Sequence, residues 1–366
     1  MAKPIVVIMV DGLDPAYLEC CPTPNLRELA RQGFLVEAKA LLPTVTNVNN
    51  VSLLTDSYPE VHGITSNYWW DRETGEETYM ESGDYVKAET VFQRAARVGA
   101  RSLLVTAKDK LRLLLGAGAT LRMSSEQLPD RVVQAVGVPP PIYSLEVNGW
   151  VIDAARHILS QESFDLAYLA TTDYPMHTYP PESAESSAHL ELLDRAIGKL
   201  VESLHQFQLL VTADHGMSAK SRMIHLPAKL AAHGIRARAV PIIKDRYTVH
   251  HSNLGGSIYL YLEDGELDRA LAVLRGIDGV DQALPRLEAA SKYRLMSSRI
   301  GDIMVLGAAD VVFGDPAEVT LPPNLRSHGS LHEDRVPIIG YGGDFAGFKF
   351  GENKDVGRYV FQRVLA

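Results

Sequence analysis

The run Ile5–Val10, apolar throughout, rich in β-branched residues and halted by Asp11-Gly12, is the strongest single constraint on how this chain folds. A strand without polar alternation must be covered on both faces, the condition of a parallel strand inside a sheet flanked by helices. The pattern returns at Arg101–Thr106, Phe164–Ala170 and Leu209–Thr212, each beside a helical stretch. Thr23-Pro24 offers an N-cap and a first-turn proline, Leu26, Leu29 and Ala30 follow at helical spacing, and Gly33 can stop that helix. Leu190, Leu193, Ile197, Leu200 and Leu204 form a second helical stripe. Strands alternating with helices predict an α/β fold with a doubly wound, mostly parallel sheet, and ligands in such sheets bind beyond the carboxyl ends of the strands.

From about residue 217 to 320 the pattern changes. Strand-like runs at Ala239–Ile243, Ser257–Leu262 and Asp302–Leu306 surround a helix near Leu267–Leu274. This predicts an inserted α+β cap subdomain, 217–320, within a catalytic core made of 1–216 and 321–366, to which Pro337–Tyr341 returns one more strand.

Charge narrows the function. The formal net charge is −9 and no dense Lys/Arg run occurs, which argues against a protein that tracks a nucleic-acid backbone. An anionic substrate must then be met by local positive charge. Ile5–Val10 is too short to span a bilayer and lacks a small-residue cleavage pattern, so it reads as a buried strand and no membrane partner is expected. The only cysteines, Cys20 and Cys21, are adjacent, which suits a reducing compartment and a cytoplasmic location.

Asp and His gather at predicted strand ends: Asp11, Asp173 with His177, Asp214 with His215, and His328 in a later loop. Taken singly, an Asp after a strand is an ordinary turn former or helix cap. Taken jointly, this oxygen and nitrogen inventory suits Zn²⁺ and is large enough for two ions. Asp173 to His177 contains Pro175 and reads as a loop. Pro43-Thr44-Val45-Thr46-Asn47-Val48-Asn49-Asn50 reads either as a turn with a helix cap or as a nucleophile segment. Thr46 is the candidate, because a hydroxyl at a helix N-terminus beside a metal ion becomes a competent nucleophile. Lys108 and Lys110 follow a strand end and are either a solvated pair or a carboxylate clamp. Gly116-Ala117-Gly118 lacks the third glycine of a dinucleotide loop, and Cys20-Cys21-Pro22-Thr23-Pro24 lacks the arginine of a sulfatase motif.

Together, Val10-Asp11-Gly12, Pro43 to Asn50, Tyr58-Pro59-x-x-His62-Gly63-Ile64, Thr172-Asp173 with His177, Thr212-Ala213-Asp214-His215-Gly216-Met217 and Ser327-His328-Gly329 resemble the alkaline phosphatase superfamily. Within it they are similar to the branch of phosphonoacetate hydrolases and nucleotide pyrophosphatases/phosphodiesterases. Thr46-Asn47-x-Asn49-Asn50, Thr106 to Leu111, Val249-His250-His251 and Leu325 to Gly329 look more like the phosphonoacetate hydrolases than the phosphodiesterases. The resemblance implies two Zn²⁺ ions, one held by Asp173, His177 and His328, the other by Asp11, Asp214, His215 and Thr46. It further implies Thr46 as nucleophile, Asn67 on a phosphoryl oxygen, and Lys108 and Lys110 on the carboxylate of a small anionic substrate, phosphonoacetate. His332 lies close to His328, whose Ser and Gly neighbours favour it as the ligand. A homodimer is compatible with this family. The competing readings are a phosphodiesterase or nucleotide pyrophosphatase on the same metals, and a catalytically silent binding protein on the same fold.

Overall fold

The chain's structure, a computed structural model, describes residues 3–365. Its frame is a sheet of β1 (Ile5–Met9), β2 (Phe34–Lys39), β3 (Ser102–Thr106), β4 (Leu121–Ser124), β5 (Leu166–Ala170), β6 (Gln208–Thr212) and β7 (Arg335–Tyr341). The order across the sheet is β2-β7-β6-β1-β5-β3-β4. Of these strands only β7 runs against the others, pairing antiparallel with β2 and β6. Every residue of β1, β3, β5 and β6 is buried, as the unbroken apolar runs require. β2 is not expected from sequence; it is an edge strand whose side chains alternate between exposed and half-buried, with Ala38 fully buried.

Register fixes where the chemistry must lie. Met9 aligns with Ala170 on one side and Thr212 on the other, and Ala170 aligns with Thr106. Four strands therefore end at one level, and the loops carrying Asp11, Lys108, Asp173 and Asp214 leave the same edge of the sheet. The strand order reverses about β1, so this edge is a topological switch point, where α/β sheets open a crevice.

The predicted helices form and close the core. Pro24–Gln32 begins on Thr23 and ends at Gly33, although Thr23 makes no side-chain capping bond. Ala184–Ser203 is capped by Ser183, which accepts from the Ser186 amide, and buries Leu190, Leu193, Ile197 and Leu200. Truncating one such leucine to alanine costs about 2–5 kcal/mol, counting lost transfer energy and the cavity left behind.

Residues 237–307 build a separate antiparallel sheet in the order Ala237–Pro241, Ser257–Leu262, Ile303–Gly307, Val280–Pro285. Leu226, Leu230, Leu260, Leu271, Leu274 and Val305 give it a hydrophobic cluster of its own. Two short strands, Ser218–Ala219 and Arg326–Ser327, pair antiparallel where the chain enters and leaves this region. Lys220 and Glu333, both fully buried, join in an ion pair at 2.9 Å across the same junction. Among the described residues, no helix is long and apolar enough to cross a membrane.

Candidate metal centre

The Thr/Asn run forms the helix Thr46–Thr55, and Thr46 is its first residue. Each asparagine anchors it. Asn47 donates to the Met80 carbonyl at 2.8 Å, and Asn49 exchanges bonds with the Leu41 backbone at 2.7 and 3.0 Å. Asn50 donates to the Thr46 carbonyl at 3.0 Å and accepts from Tyr168 Oη at 2.7 Å. The motif histidine His62 buttresses the same helix. Its Nδ1 accepts from the Ile64 amide at 3.1 Å, so the ring proton sits on Nε2, 2.8 Å from Ser52 Oγ. Asn67 accepts from the Asn47 amide at 3.2 Å, which places this predicted phosphoryl contact at the helix N-terminus beside Thr46. Thr46 Oγ1 lies 3.5 Å from His215 Nε2.

The Asp and His residues singled out from sequence converge here, all buried. Asp11, Asp214 and His215 form one set of mutually close donor atoms, Asp173, His215 and His328 a second, and Asp173, His177 and His250 a third. Asp173 is thus shared, and His250 enters a set to which no sequence reading assigned it. Asp173 to His177 is not the loop expected: Tyr174–Thr178 is a single helical turn, because Pro175 falls at its start, where a missing amide costs nothing. His332 stands apart, exposed and 2.7 Å from Asp281.

Hydrogen bonding determines which ring nitrogen each histidine offers. His177 Nδ1 meets the Arg326 carbonyl at 2.6 Å, His328 Nδ1 the Thr44 carbonyl at 2.6 Å, and His215 Nδ1 the Gly216 carbonyl at 3.0 Å. A carbonyl can only accept, so Nδ1 carries the proton in all three and Nε2 presents its lone pair to the cluster. Burial, the largest cause, also holds His215 and His328 below the usual histidine range, in the neutral form that binds metals.

The carboxylates behave as groups awaiting a cation. Both oxygens of Asp11 are buried without a hydrogen-bond partner among the described residues. Burial, and then repulsion from Asp173 and Asp214, raises its pKa well above the usual carboxylate range. Burial pushes Asp214 up to about 6. Asp173 goes the other way: burial would raise it, but Lys108, His177 and His250 hold it well below the ordinary value. Three buried carboxylates facing neutral imidazole lone pairs fit divalent metal ions, which would supply the missing positive charge.

Both predicted lysines are buried rather than solvated. Lys108 Nζ lies 2.7 Å from Asp173 Oδ1 and 3.8 Å from Asp11 Oδ2. Burial alone would lower its pKa; Asp173, Asp11 and Asp245 outweigh it and raise the value. Lys110 pairs with Asp245, which also accepts from His251 Nε2 at 3.2 Å. Since His251 Nδ1 accepts from the Asn253 amide at 2.9 Å, that ring is committed to fixing Asp245. Sequence reasoning gave no role to Asp245 or His250, and the adjacent histidines 250 and 251 were the only signal available.

Fold and site define a metal-dependent hydrolase of the alkaline phosphatase type. The family model "Type I phosphodiesterase / nucleotide pyrophosphatase" matches residues 5–331, and the chain belongs to that family. Within it the chain groups with phosphonoacetate hydrolase. The crystal structures of that enzyme from Sinorhizobium meliloti 1021, in complex with phosphonoformate and with phosphonoacetate, superpose with TM-scores of 0.91 and 0.90 at 33% identity, covering 100% of this chain and 96% of theirs. Murine ectonucleotide pyrophosphatase/phosphodiesterase 5 shares the fold, with a TM-score of 0.71 at 18% identity over 98% of this chain and 94% of its own. A venom phosphodiesterase of Naja atra is 26% identical over 240 residues, 60% of this chain and 27% of its own length. A Schizosaccharomyces pombe pyrophosphatase/phosphodiesterase is 26% identical over 59% of this chain and 45% of its own length, so less than half of either relative is represented in the match.

Proposed function

We propose that this chain hydrolyses the carbon–phosphorus bond of phosphonoacetate to acetate and phosphate, with Thr46 as nucleophile and a phosphothreonine intermediate. The supporting observation is the joint placement of Thr46 and Lys108 around one set of buried Asp and His donors. Asp173, His177 and His328 would hold one Zn²⁺, and Asp11, Asp214, His215 and Thr46 the other. The bound ions would neutralise phosphoryl oxygens and make hydroxyl and water better nucleophiles at neutral pH. Residues 217–320 act as the cap over this site.

Thr46 Oγ attacks phosphorus in line as its proton passes to water, and the P–C electron pair passes to the methylene carbon. That charge is tolerable because the adjacent carboxylate accepts it as an enediolate, which Lys108 and Lys110 bind; a proton from water then gives acetate. Asn67, held by the Asn47 amide, meets a phosphoryl oxygen, and the amides at the start of Thr46–Thr55 favour the anion. Water next displaces Thr46 from phosphorus, releasing phosphate and restoring the hydroxyl. Thr46→Ala is expected to lower turnover at least about a thousandfold while metal content, measured by elemental analysis, stays near two ions per chain. Ordinary rates in that variant would remove Thr46 as nucleophile. The family match also supports a phosphodiesterase reading on the same metals; dependence of activity on Lys108 and Lys110 separates the two.

A further inference from the structure

His250 differs from every other histidine of the cluster. His177, His215 and His328 each tie Nδ1 to a backbone carbonyl, the anchoring that keeps a metal ligand's ring in place. His250 has no such anchor. Both of its ring nitrogens are buried without a hydrogen-bond partner among the described residues, and the side chain is inaccessible to solvent. Its Nε2 lies 3.2 Å from Asp173 Oδ1, the oxygen that Lys108 also approaches, whereas His177 and His328 approach Oδ2. Apart from that approach to Asp173, packing holds the ring, against Tyr143, Tyr174, His177 and His251.

Position then indicates a role. Thr46 sits beside His215, His215 stacks on His328 at 3.5 Å, His328 reaches Asp173 Oδ2 at 3.6 Å, and His250 and Lys108 lie on the opposite oxygen of Asp173. In-line displacement puts the leaving fragment opposite the attacking oxygen, so the group at the far end meets that fragment. A neutral imidazole has one N–H to donate; Nε2 already faces Asp173 Oδ1, so in the Nδ1–H tautomer the donor is the nitrogen for which no acceptor exists among the described residues. We propose that His250 is a specificity residue that donates a hydrogen bond to the carboxylate on the leaving side of the substrate, next to Lys108. This rests on the proposed reaction for its substrate, but it concerns recognition rather than bond cleavage.

The test compares binding of phosphonoacetate with that of methylphosphonate, which lacks the carboxylate, by calorimetry on the zinc-loaded protein. Wild type is expected to prefer phosphonoacetate, and His250→Ala to weaken phosphonoacetate binding about 10- to 100-fold while methylphosphonate affinity and zinc content stay within about twofold. His250→Gln, which keeps an N–H donor in a side chain of similar reach, is expected to regain part of the preference and guards against a folding defect in the alanine variant. Equal weakening for both ligands, an unchanged ratio, or loss of zinc from His250→Ala overturns the proposal. Carboxylate preference without turnover would leave His250 in this role and remove the hydrolase reading instead.

Discussion

Asp11→Asn should move stability in opposite directions with and without metal. Asp11 is buried beside Asp173 and Asp214, with neither oxygen hydrogen-bonded among the described residues, so in metal-free protein its charge is a liability that Asn removes. With metal, the same oxygens are ligands that Asn replaces poorly. A ligand that binds only the folded state at about a hundred times its Kd adds about 2.7 kcal/mol, so two filled sites add about 5 kcal/mol. Unfolding entropy of about 2.1 cal/mol/K per residue makes 1 kcal/mol worth roughly 1.3 °C in a chain of 366 residues. Wild type should therefore melt about 7 °C higher with zinc than with a chelator. In Asp11→Asn the gap should shrink to about 3–4 °C, one site's worth, while the chelated form melts about 1 °C or more above chelated wild type. Differential scanning calorimetry of the four samples reads these directly. A wild-type melting point that ignores chelation, or a chelated Asp11→Asn that melts below wild type, would show that Asp11 is not a metal ligand held at a cost to the metal-free fold.

Lys220→Met leaves Glu333 buried without its cation, although Ser218 and Ser330 still donate to it. Breaking one side of such a pair costs about 3–5 kcal/mol, a fall of roughly 4–6 °C by the same conversion, checked by thermal melting. In chelated protein two sets of buried groups act against each other as pH falls: the raised Asp11 and Asp214 favour the folded form, and two histidines oppose it. Burial lowers His62 to about 3 and His189 to about 4, so the unfolded chain takes up protons that the folded chain refuses. The sign follows from that difference: this contribution is complete above about pH 6.5 and is lost as pH falls, by about 1.4 kcal/mol per pH unit for each ring, down to each ring's native value. Urea unfolding of chelated protein between about pH 6.5 and 5 isolates it by difference: the stability of wild type minus that of His62→Gln should fall with pH, approaching about 1.4 kcal/mol per unit, and identical slopes would contradict the assignment.

The parallel strands and their Asp-bearing ends were legible because burial on both faces writes an unbroken apolar run, and because the residues that end such runs face one crevice. β2 was missed because its edge position leaves an alternating, partly charged pattern, Phe34 to Lys39, that imitates a loop. Val280–Pro285 hid for a similar reason, with Asp281 and Gln282 interrupting a short strand. The helical turn after Asp173 looks like a loop in sequence because proline breaks a helix everywhere but in its first turn, where Pro175 stands. His250 and Asp245 could not be assigned from spacing, since they reach the site from between two strands of the separate antiparallel sheet, by tertiary packing alone. Lys108 and Lys110 were visible as a pair, but their separate partners, Asp173 and Asp245, were not.

The reaction proposed for this chain is carbon–phosphorus cleavage with carboxylate recognition. It is tested most directly by phosphate release from phosphonoacetate by the zinc-loaded protein, set beside hydrolysis of a nitrophenyl phosphodiester, in wild type and in Lys108→Ala. Wild type is expected to prefer phosphonoacetate strongly, and Lys108→Ala to reduce that activity by about a hundredfold or more with a much smaller effect on the diester. Preference of the wild type for the diester, or equal losses on both substrates, would contradict it and leave a phosphodiesterase on the same metal centre.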